Sequence, residues 1–167
     1  VCPNFMTLDA FIDLPEKPRT VLALDGVTNP QNVGMIIRSA IAAGVDGLLY
    51  PKRGVASLGP LVIKASAGNV FRAPIIRCDA TAAAVTALKS KGFRVATLEA
   101  SATTSLFEFK AADSVVCVLG GESDGIGREV AALADTRLTI PMANSVESLN
   151  VAVTAALVSF HLGHTPD

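Results

Sequence analysis

Three short stretches concentrate the polar residues that could do chemistry within an otherwise apolar chain. In the first, Leu24 to Ala40, a strand ends at Asp25, a polar turn follows, and Asn32 and Arg38 stand six residues apart on a predicted helix. Six steps of about 100° leave the two side chains roughly 120° apart, so they can line neighbouring edges of one pocket without touching. Arg38 is surrounded in sequence by Met35, Ile36, Ile37, Ala40 and Ile41. A guanidinium in such company needs a carboxylate, carbonyl or phosphate to meet. It either serves a ligand or forms a structural pair with an acid such as Asp25, and the residues leave both readings open.

The second stretch, Val115 to Gly127, runs from an apolar strand into a loop dense in glycine that carries Glu122 and Asp124. Glycines at a strand end let backbone amides and carbonyls approach a ligand closely. No Gly-Lys-Ser/Thr follows, so the phosphate-binding loop of nucleotide hydrolases is excluded, and the glycine spacing also fails the dinucleotide fingerprint. Gly121-Glu122-Ser123-Asp124-Gly125 does satisfy the G-x-S-x-G pattern of a nucleophile elbow, and Ser123, Asp135 and His161 or His164 follow one another in the order of a hydrolase triad. A small serine hydrolase is therefore the rival enzyme class. In the third stretch, Leu138 to Val153, a strand enters an Ile140-Pro141-Met142 turn that leads to a helix headed by Ser148, Leu149 and Asn150. Ser148 is suited to cap that helix. Asn150 is a polar amide at the root of an apolar helix, where it lowers stability unless something bonds to it.

The elements that must position these residues alternate along the chain. Strands are predicted at 21–24, 47–50, 74–77, 93–98, 114–119 and 137–140, and helices at 30–43, 58–67, 126–134 and 148–161, with another that Asp79 caps and that runs to Lys91. Repeated strand-then-helix order gives an α/β fold with a mainly parallel sheet flanked by helices. In such sheets ligands bind where the strands end at their carboxyl side, which is where all three stretches lie. Residues 1–20, with Pro3, Pro15 and Pro18, read as a lead-in or hinge to a further domain, and 21–167 as the catalytic unit. The first residue is Val1 rather than Met, as in a fragment or processed product.

The chain has 167 residues, 50% of them hydrophobic, and a formal net charge of −1. That length supports one domain with a substantial core. Mean hydropathy is +0.48, yet charged or polar residues interrupt every apolar run before the roughly 18 residues of a membrane span. Cys2, Cys78 and Cys117 are scattered and lack the spacing of a disulfide framework or zinc site, which fits a reducing, cytoplasmic setting. His161 and His164, without further ligands, make no metal site and read as tail residues. Between Pro51 and Cys78 stand Lys52, Arg53, Lys64, Arg72 and Arg77 with no acid, a candidate surface for nucleic-acid phosphates.

Taken together, Asn32…Arg38-Ser39-Ala40, Leu119-Gly120-Gly121-Glu122…Gly125-Ile126-Gly127 and Ile140-Pro141-Met142…Glu147-Ser148-Leu149-Asn150-Val151-Ala152-Val153 resemble, in order and position, the motifs of the SpoU (TrmH-like) RNA ribose 2'-O-methyltransferases. The segment Lys64 to Pro74 also resembles the family's stretch ahead of its middle strand. The likeness extends from about Val21 to the end of the last helix. It implies a SPOUT fold with a C-terminal trefoil knot, a homodimer joined partly through the helix from Ser148, S-adenosylmethionine as cofactor, and ribosomal or transfer RNA as substrate. It implies further that Gly120, Ile140, Met142 and Leu149 surround the adenosine and that Asn32, Arg38, Glu122, Ser148 and Asn150 form the polar catalytic set, with no metal. Because a guanidinium is a poor proton acceptor, Arg38 is expected to hold a phosphate or a developing oxyanion. Two departures stand out: no separate amino-terminal RNA-binding domain is visible, and Asp124 adds negative charge beside a polyanionic substrate. A non-catalytic module that binds RNA or cofactor is the remaining alternative.

Overall fold

A computed structural model describes residues 5–15, 19–111 and 113–163. Its elements are β1 (Phe5–Thr7), α1 (Leu8–Ile12), β2 (Thr20–Asp25), α2 (Pro30–Ala42), β3 (Gly47–Pro51), α3 (Pro60–Ala65), β4 (Ile75–Cys78), α4 (Thr81–Ser90), β5 (Arg94–Leu98), β6 (Thr104–Ser105), β7 (Val115–Gly120), α5 (Arg128–Ala131), β8 (Thr136–Thr139) and α6 (Val151–Gly163). The strands form one sheet in the order β1-β4-β3-β2-β7-β5-β8-β6. Every pairing is parallel, so all the strands present their carboxyl ends at one edge.

The central strands β2 and β7 carry the run of apolar residues that a sheet covered on both faces requires. Alternate residues feed two cores. Leu22, Leu24, Val115 and Cys117 join α2 and α6 on one face, whereas Val21, Ala23, Val116 and Val118 join α1, α4 and α5 on the other. Burial pushes the Cys78 thiol up to about 11 and raises the fully enclosed Cys117 thiol as well, which leaves both as inert packing residues.

The structure gives the six expected strands with ends shifted by a residue or so, and adds two short ones at the sheet's edges, β1 and β6. Residues 5–15, read from sequence as lead-in, supply β1 and α1. Arg19 fastens this part: its buried guanidinium donates to the carbonyls of Phe11, Ile12 and Leu14 and stacks over the Phe11 ring. Two cap assignments are corrected. The α4 helix begins at Thr81 after Ala80, because Asp79 turns outward to Lys52, 2.5 Å away. The α6 helix begins at Val151, and Asn150 rather than Ser148 supplies the cap, accepting from the Ala152 amide at 2.8 Å.

Helix α2, which carries Asn32 and Arg38, starts at Pro30 and is capped by Asn29, whose side chain accepts from the amides of Gln31 and Asn32 at 2.9 and 3.3 Å. It is held against α3 by a close backbone approach at Gly34. A Cβ there would lie 2.4 Å from the Ala65 Cβ and 2.9 Å from the Ser66 nitrogen. Gly34→Ala should therefore cost about 1–3 kcal/mol, the range for overpacking a filled interior. Urea unfolding should show the lowered midpoint with an unchanged slope; an unchanged midpoint would contradict this packing.

Candidate active site

Loops leaving β2, β7, β5 and β8 meet at the carboxyl edge of the sheet. The loop after β7 is seated on the loop after β2 by backbone contacts: the Gly121 amide donates to the Asp25 carbonyl at 2.8 Å, and the Gly127 amide donates to Asp25 Oδ2 at 2.7 Å. Asp25 is thus committed to a turn and does not pair with Arg38, which corrects the structural alternative for that arginine. A Cβ on Gly121 would stand 2.1 Å from the Gly26 carbonyl oxygen, so this position requires glycine. The bend places Glu122 at the mouth of a cleft of about 430 Å³.

The cleft is bounded by Leu98 at the end of β5 and Ala100 beyond it, Gly120 at the end of β7 with Gly121 and Glu122 beyond it, Ile140 and Met142 after β8, and Leu149, Val151 and Thr154 around the start of α6. Gly120, Ile140, Met142 and Leu149 all lie on its wall, and so do Glu122 and Ser148. Asn32 and Asn150 are at its margin and are tied to Glu122. Asn32 Nδ2 donates to Glu122 Oε1 at 2.7 Å, Asn150 Nδ2 donates to the same oxygen at 3.0 Å, and Asn150 Nδ2 also reaches Asn32 Oδ1 at 3.1 Å. Asn32 is buried, 4% exposed, whereas Glu122 and Asn150 are open to solvent. The amide that looked misplaced at the root of α6 therefore has both a capping role and a carboxylate partner. Arg38 makes no bond to this cluster: it is exposed on α2 and has no hydrogen-bond or ion-pair partner among the described residues.

Sequence reasoning missed the loop after β5. Leu98, Glu99 and Ala100 line the cleft, and the rule that ligands gather at strand ends would have pointed to them. Glu99 is already engaged, since it accepts from Thr97 Oγ1 at 2.7 Å and faces Arg137 at 3.8 Å. Thr154, one turn into α6, was also passed over because it sits in an apolar helix.

The hydrolase geometry does not form. Ser123 is exposed at the tip of the 121–125 turn, while Asp135 precedes β8 at the opposite end of the sheet. The Asp135 carboxylate accepts from the Val95 amide at 2.8 Å and pairs with Lys89 at 2.7 Å. His161 bonds the Phe109 carbonyl through Nε2 at 2.8 Å and packs edge-on against Phe107, so it is a packed residue rather than a tail residue; His164 lies outside the described residues.

The five-cation stretch is also less free than its count suggests. Lys52 pairs with Asp79, Arg72 donates to Asn69 Oδ1 at 2.7 Å, and Arg77 is half-buried over the rings of Phe5 and Tyr50. Arg53 and Lys64 remain exposed and make no hydrogen bond or ion pair among the described residues, although the Arg53 charge also acts on Asp79. Arg53 follows β3, which is two strands from β7 and hence about 10 Å from its loop at the usual inter-strand spacing. No group of three or more potential metal ligands is found among the described residues, and no described helix is long and apolar enough to cross a membrane.

Residues 19–160 match the model of the SpoU rRNA Methylase family. The chain belongs to this family. A Staphylococcus aureus (strain COL) protein named for the TrmH family of tRNA/rRNA methyltransferases is 41% identical over 143 residues, which make up 86% of this chain and 58% of that protein. The SpoU methyltransferase AviRb of Streptomyces viridochromogenes, solved in complex with the cofactor AdoMet, superposes with a TM-score of 0.78 at 28% identity, covering 90% of this chain and 61% of its own. A crystal structure of an RNA 2'-O ribose methyltransferase gives a TM-score of 0.73 at 28% identity, covering 89% of this chain and 59% of that one. This SpoU chain thus spans somewhat less than two thirds of the length of these relatives. Its single parallel sheet flanked by helices is the fold that the motifs led us to expect.

Two outcomes follow, one for the α6 cap and one for the Asp135 carboxylate at the other end of the sheet. Asn150→Ala removes the α6 cap and should cost about 0.5–2 kcal/mol, read as a lower thermal midpoint; full stability in that variant would contradict the capping role. Partial burial acts to raise the Asp135 pKa, but its hydrogen bonds to Lys89 and the Val95 amide, with the nearby Lys89 and Arg94 charges, outweigh burial and hold it below the ordinary value. A depressed carboxylate contributes stability above its unfolded pKa of about 3.9, and that contribution is lost as the pH falls through the lower folded value. Acid unfolding should therefore be less steep in Asp135→Asn than in the parent below about pH 4; identical acid limbs would remove Asp135 as a contributor.

Proposed function

We propose that this SpoU chain transfers a methyl group from S-adenosylmethionine to a ribose 2'-hydroxyl of ribosomal or transfer RNA. The observation that carries the reading is the meeting of a mainly apolar cleft, walled by Gly120, Ile140, Met142 and Leu149, with the Asn32–Glu122–Asn150 cluster at its mouth. The likeness to the AdoMet-bound AviRb structure and to the RNA 2'-O ribose methyltransferase supports it.

The residues fit such a cofactor. The cleft lies within the usual 300–1,000 Å³ range for small-molecule sites, and Leu98, Ile140, Met142 and Leu149 give it an apolar wall suited to an adenine. At Gly120 and Gly121, backbone atoms border the cleft with no intervening side chain. Glu99, Glu122 and Glu147 give the cleft an acidic lining suited to a ligand with net positive charge. When bound, the cofactor supplies an electrophilic methyl on a sulfonium, so the chain's work is to align an acceptor and stabilise the charge that develops on it. Asn32, Ser148 and Asn150 fix that geometry through neutral hydrogen bonds. Arg38, exposed and unpaired among the described residues, holds the phosphate next to the acceptor ribose or the developing oxyanion. Arg53 and Lys64 extend the phosphate-facing surface.

The homodimer belongs to the same proposal. Helix α6 is apolar around nearly its whole circumference, packs on α2 by one face, and leaves Val153 and Phe160 exposed at 49% and 48%, with Met35 of α2 at 42%. A helix apolar all round is one that becomes buried on both sides. A second copy of the chain covers this surface, the loops lining the cleft form the trefoil knot that the sequence resemblance implies, and the protein works in the cytoplasm without a metal.

Calorimetry should show S-adenosylhomocysteine binding, and incubation with labelled S-adenosylmethionine should place methyl groups on ribosomal or transfer RNA at alkali-resistant dinucleotides, the mark of a blocked 2'-hydroxyl. Arg38→Ala should reduce transfer by about 100-fold or more, as loss of a transition-state donor does, with S-adenosylhomocysteine affinity unchanged. Binding without transfer would favour the non-catalytic module, and equal loss of both properties in Arg38→Ala would refute the role given to that residue.

A further inference from the structure

The reaction proposed above releases a proton, and the structure identifies a group placed to receive it. We infer that Glu122, through Oε2, accepts the proton of the ribose hydroxyl, an inference that rests on the methyltransferase reading. Both amide donors, Asn32 Nδ2 at 2.7 Å and Asn150 Nδ2 at 3.0 Å, bind Oε1, and no described group bonds Oε2. The carboxylate is therefore held from one side with its other oxygen uncommitted, at the mouth of the cleft where the acceptor must enter. A residue there only to fasten α2 to the start of α6 would need neither a second oxygen nor a negative charge, because a neutral amide oxygen accepts the same two bonds.

The surrounding charges narrow the choice. On the elements packed around Glu122 the charged groups are Asp25 at the end of β2, Arg38 on α2, Glu99 after β5, Asp124 in the same loop and Glu147 ahead of α6. Asp25 is bound by the Gly127 amide and Glu99 by Thr97 and Arg137. Arg38 is a guanidinium and cannot accept a proton. Asp124 and Glu147 are exposed and have no hydrogen bonds that fix their orientation among the described residues. His161 lies eleven residues along α6 from Asn150, about 16 Å at the helical rise, and its Nε2 is engaged by the Phe109 carbonyl.

The step balances. The ribose oxygen forms its bond to the methyl carbon, the carbon–sulfur bond breaks with its electron pair remaining on sulfur, and the hydroxyl proton passes to Glu122 Oε2, which later releases it to water. A carboxylate suffices because the demand arises late. As the new oxygen–carbon bond forms, the hydroxyl proton becomes steadily more acidic, so placement of the acceptor matters more than its basicity.

Glu122→Gln retains an oxygen for Asn32 and Asn150 while removing the proton acceptor. In steady-state assays with labelled S-adenosylmethionine and RNA, kcat should fall by about 10²–10⁴-fold, with KM for RNA and calorimetric affinity for S-adenosylhomocysteine unchanged. The decline of kcat on the acid side of the parent's pH profile should also disappear. An unaltered kcat, a lowered kcat that keeps the acid decline, or a parallel loss of S-adenosylhomocysteine affinity would each overturn the inference. So would removal of the acid decline by Glu147→Gln instead. Failure of the parent protein to methylate RNA ribose would sink the methyltransferase reading itself, which separates that result from a failure of Glu122 alone.

Discussion

Two amides from distant parts of the chain converge on one carboxylate oxygen, and the site depends on that convergence. Asn32 belongs to the first turn of α2, Asn150 caps α6, and Glu122 lies in the loop after β7, so three crossovers of the sheet must end in register for the bonds to form. A carboxylate that receives two donors is held more firmly than any single contact could hold it, because charge-assisted bonds exceed neutral ones in strength and each limits rotation. The arrangement is possible because β2 and β7 are neighbours. Their parallel pairing from Thr20 opposite Val115 to Asp25 opposite Gly120 brings the two loops out side by side. The glycines then allow the loops to touch: Gly26 is in a left-handed conformation with φ +74, and Gly121 passes against its carbonyl where a methyl group would not fit.

Much of this was legible in the residues. The strand-then-helix alternation yields the central strands within a residue or so, because strands buried on both faces are written as unbroken apolar runs. Asn150 announced a partner by being polar where the helix is apolar, and Glu122 supplies it. What escaped the sequence has physical causes. The edge strands β1 and β6 are three and two residues long, too short for any periodicity to register. The caps at Asp79 and Ser148 were assigned from residue type alone, whereas competition decided them: Lys52 draws Asp79 outward, and Asn150 stands closer to the first free amide of α6. The five cations from Lys52 to Arg77 form one block in sequence, but an acid, a neutral amide and two aromatic rings engage three of them, and a count of charges says nothing about such partners. The G-x-S-x-G match fails for a similar reason: its triad order is correct, yet β8 runs parallel to β7 and puts Asp135 at the far end of the sheet.

The division between firm and adaptable parts agrees with the chemistry proposed. Methyl transfer to a hydroxyl requires alignment above all, and the groups that would align the acceptor sit on α2, on the cap of α6 and on a loop clamped to its neighbour by backbone bonds. The other wall of the cleft is built differently. Residues 141–148 are exposed throughout, and Asn144 and Ser145 adopt left-handed conformations at φ 55 and 59. A non-glycine residue in that region costs of order 1 kcal/mol or more, less for asparagine, and persists where the surroundings or a ligand favour it. Met142 and Val146, exposed at 38% and 49%, line the cleft from this segment. Burying such side chains against an apolar ligand would recover about 25 cal/mol for each Å² removed from water, enough for a bound adenine to offset the strain. The segment is thus suited to fold over a ligand, whereas the Asn32–Glu122–Asn150 cluster is complete before anything binds. A site that fixes its reacting side in advance and lets the apolar side adjust aligns the acceptor without excluding the cofactor from an already closed cleft.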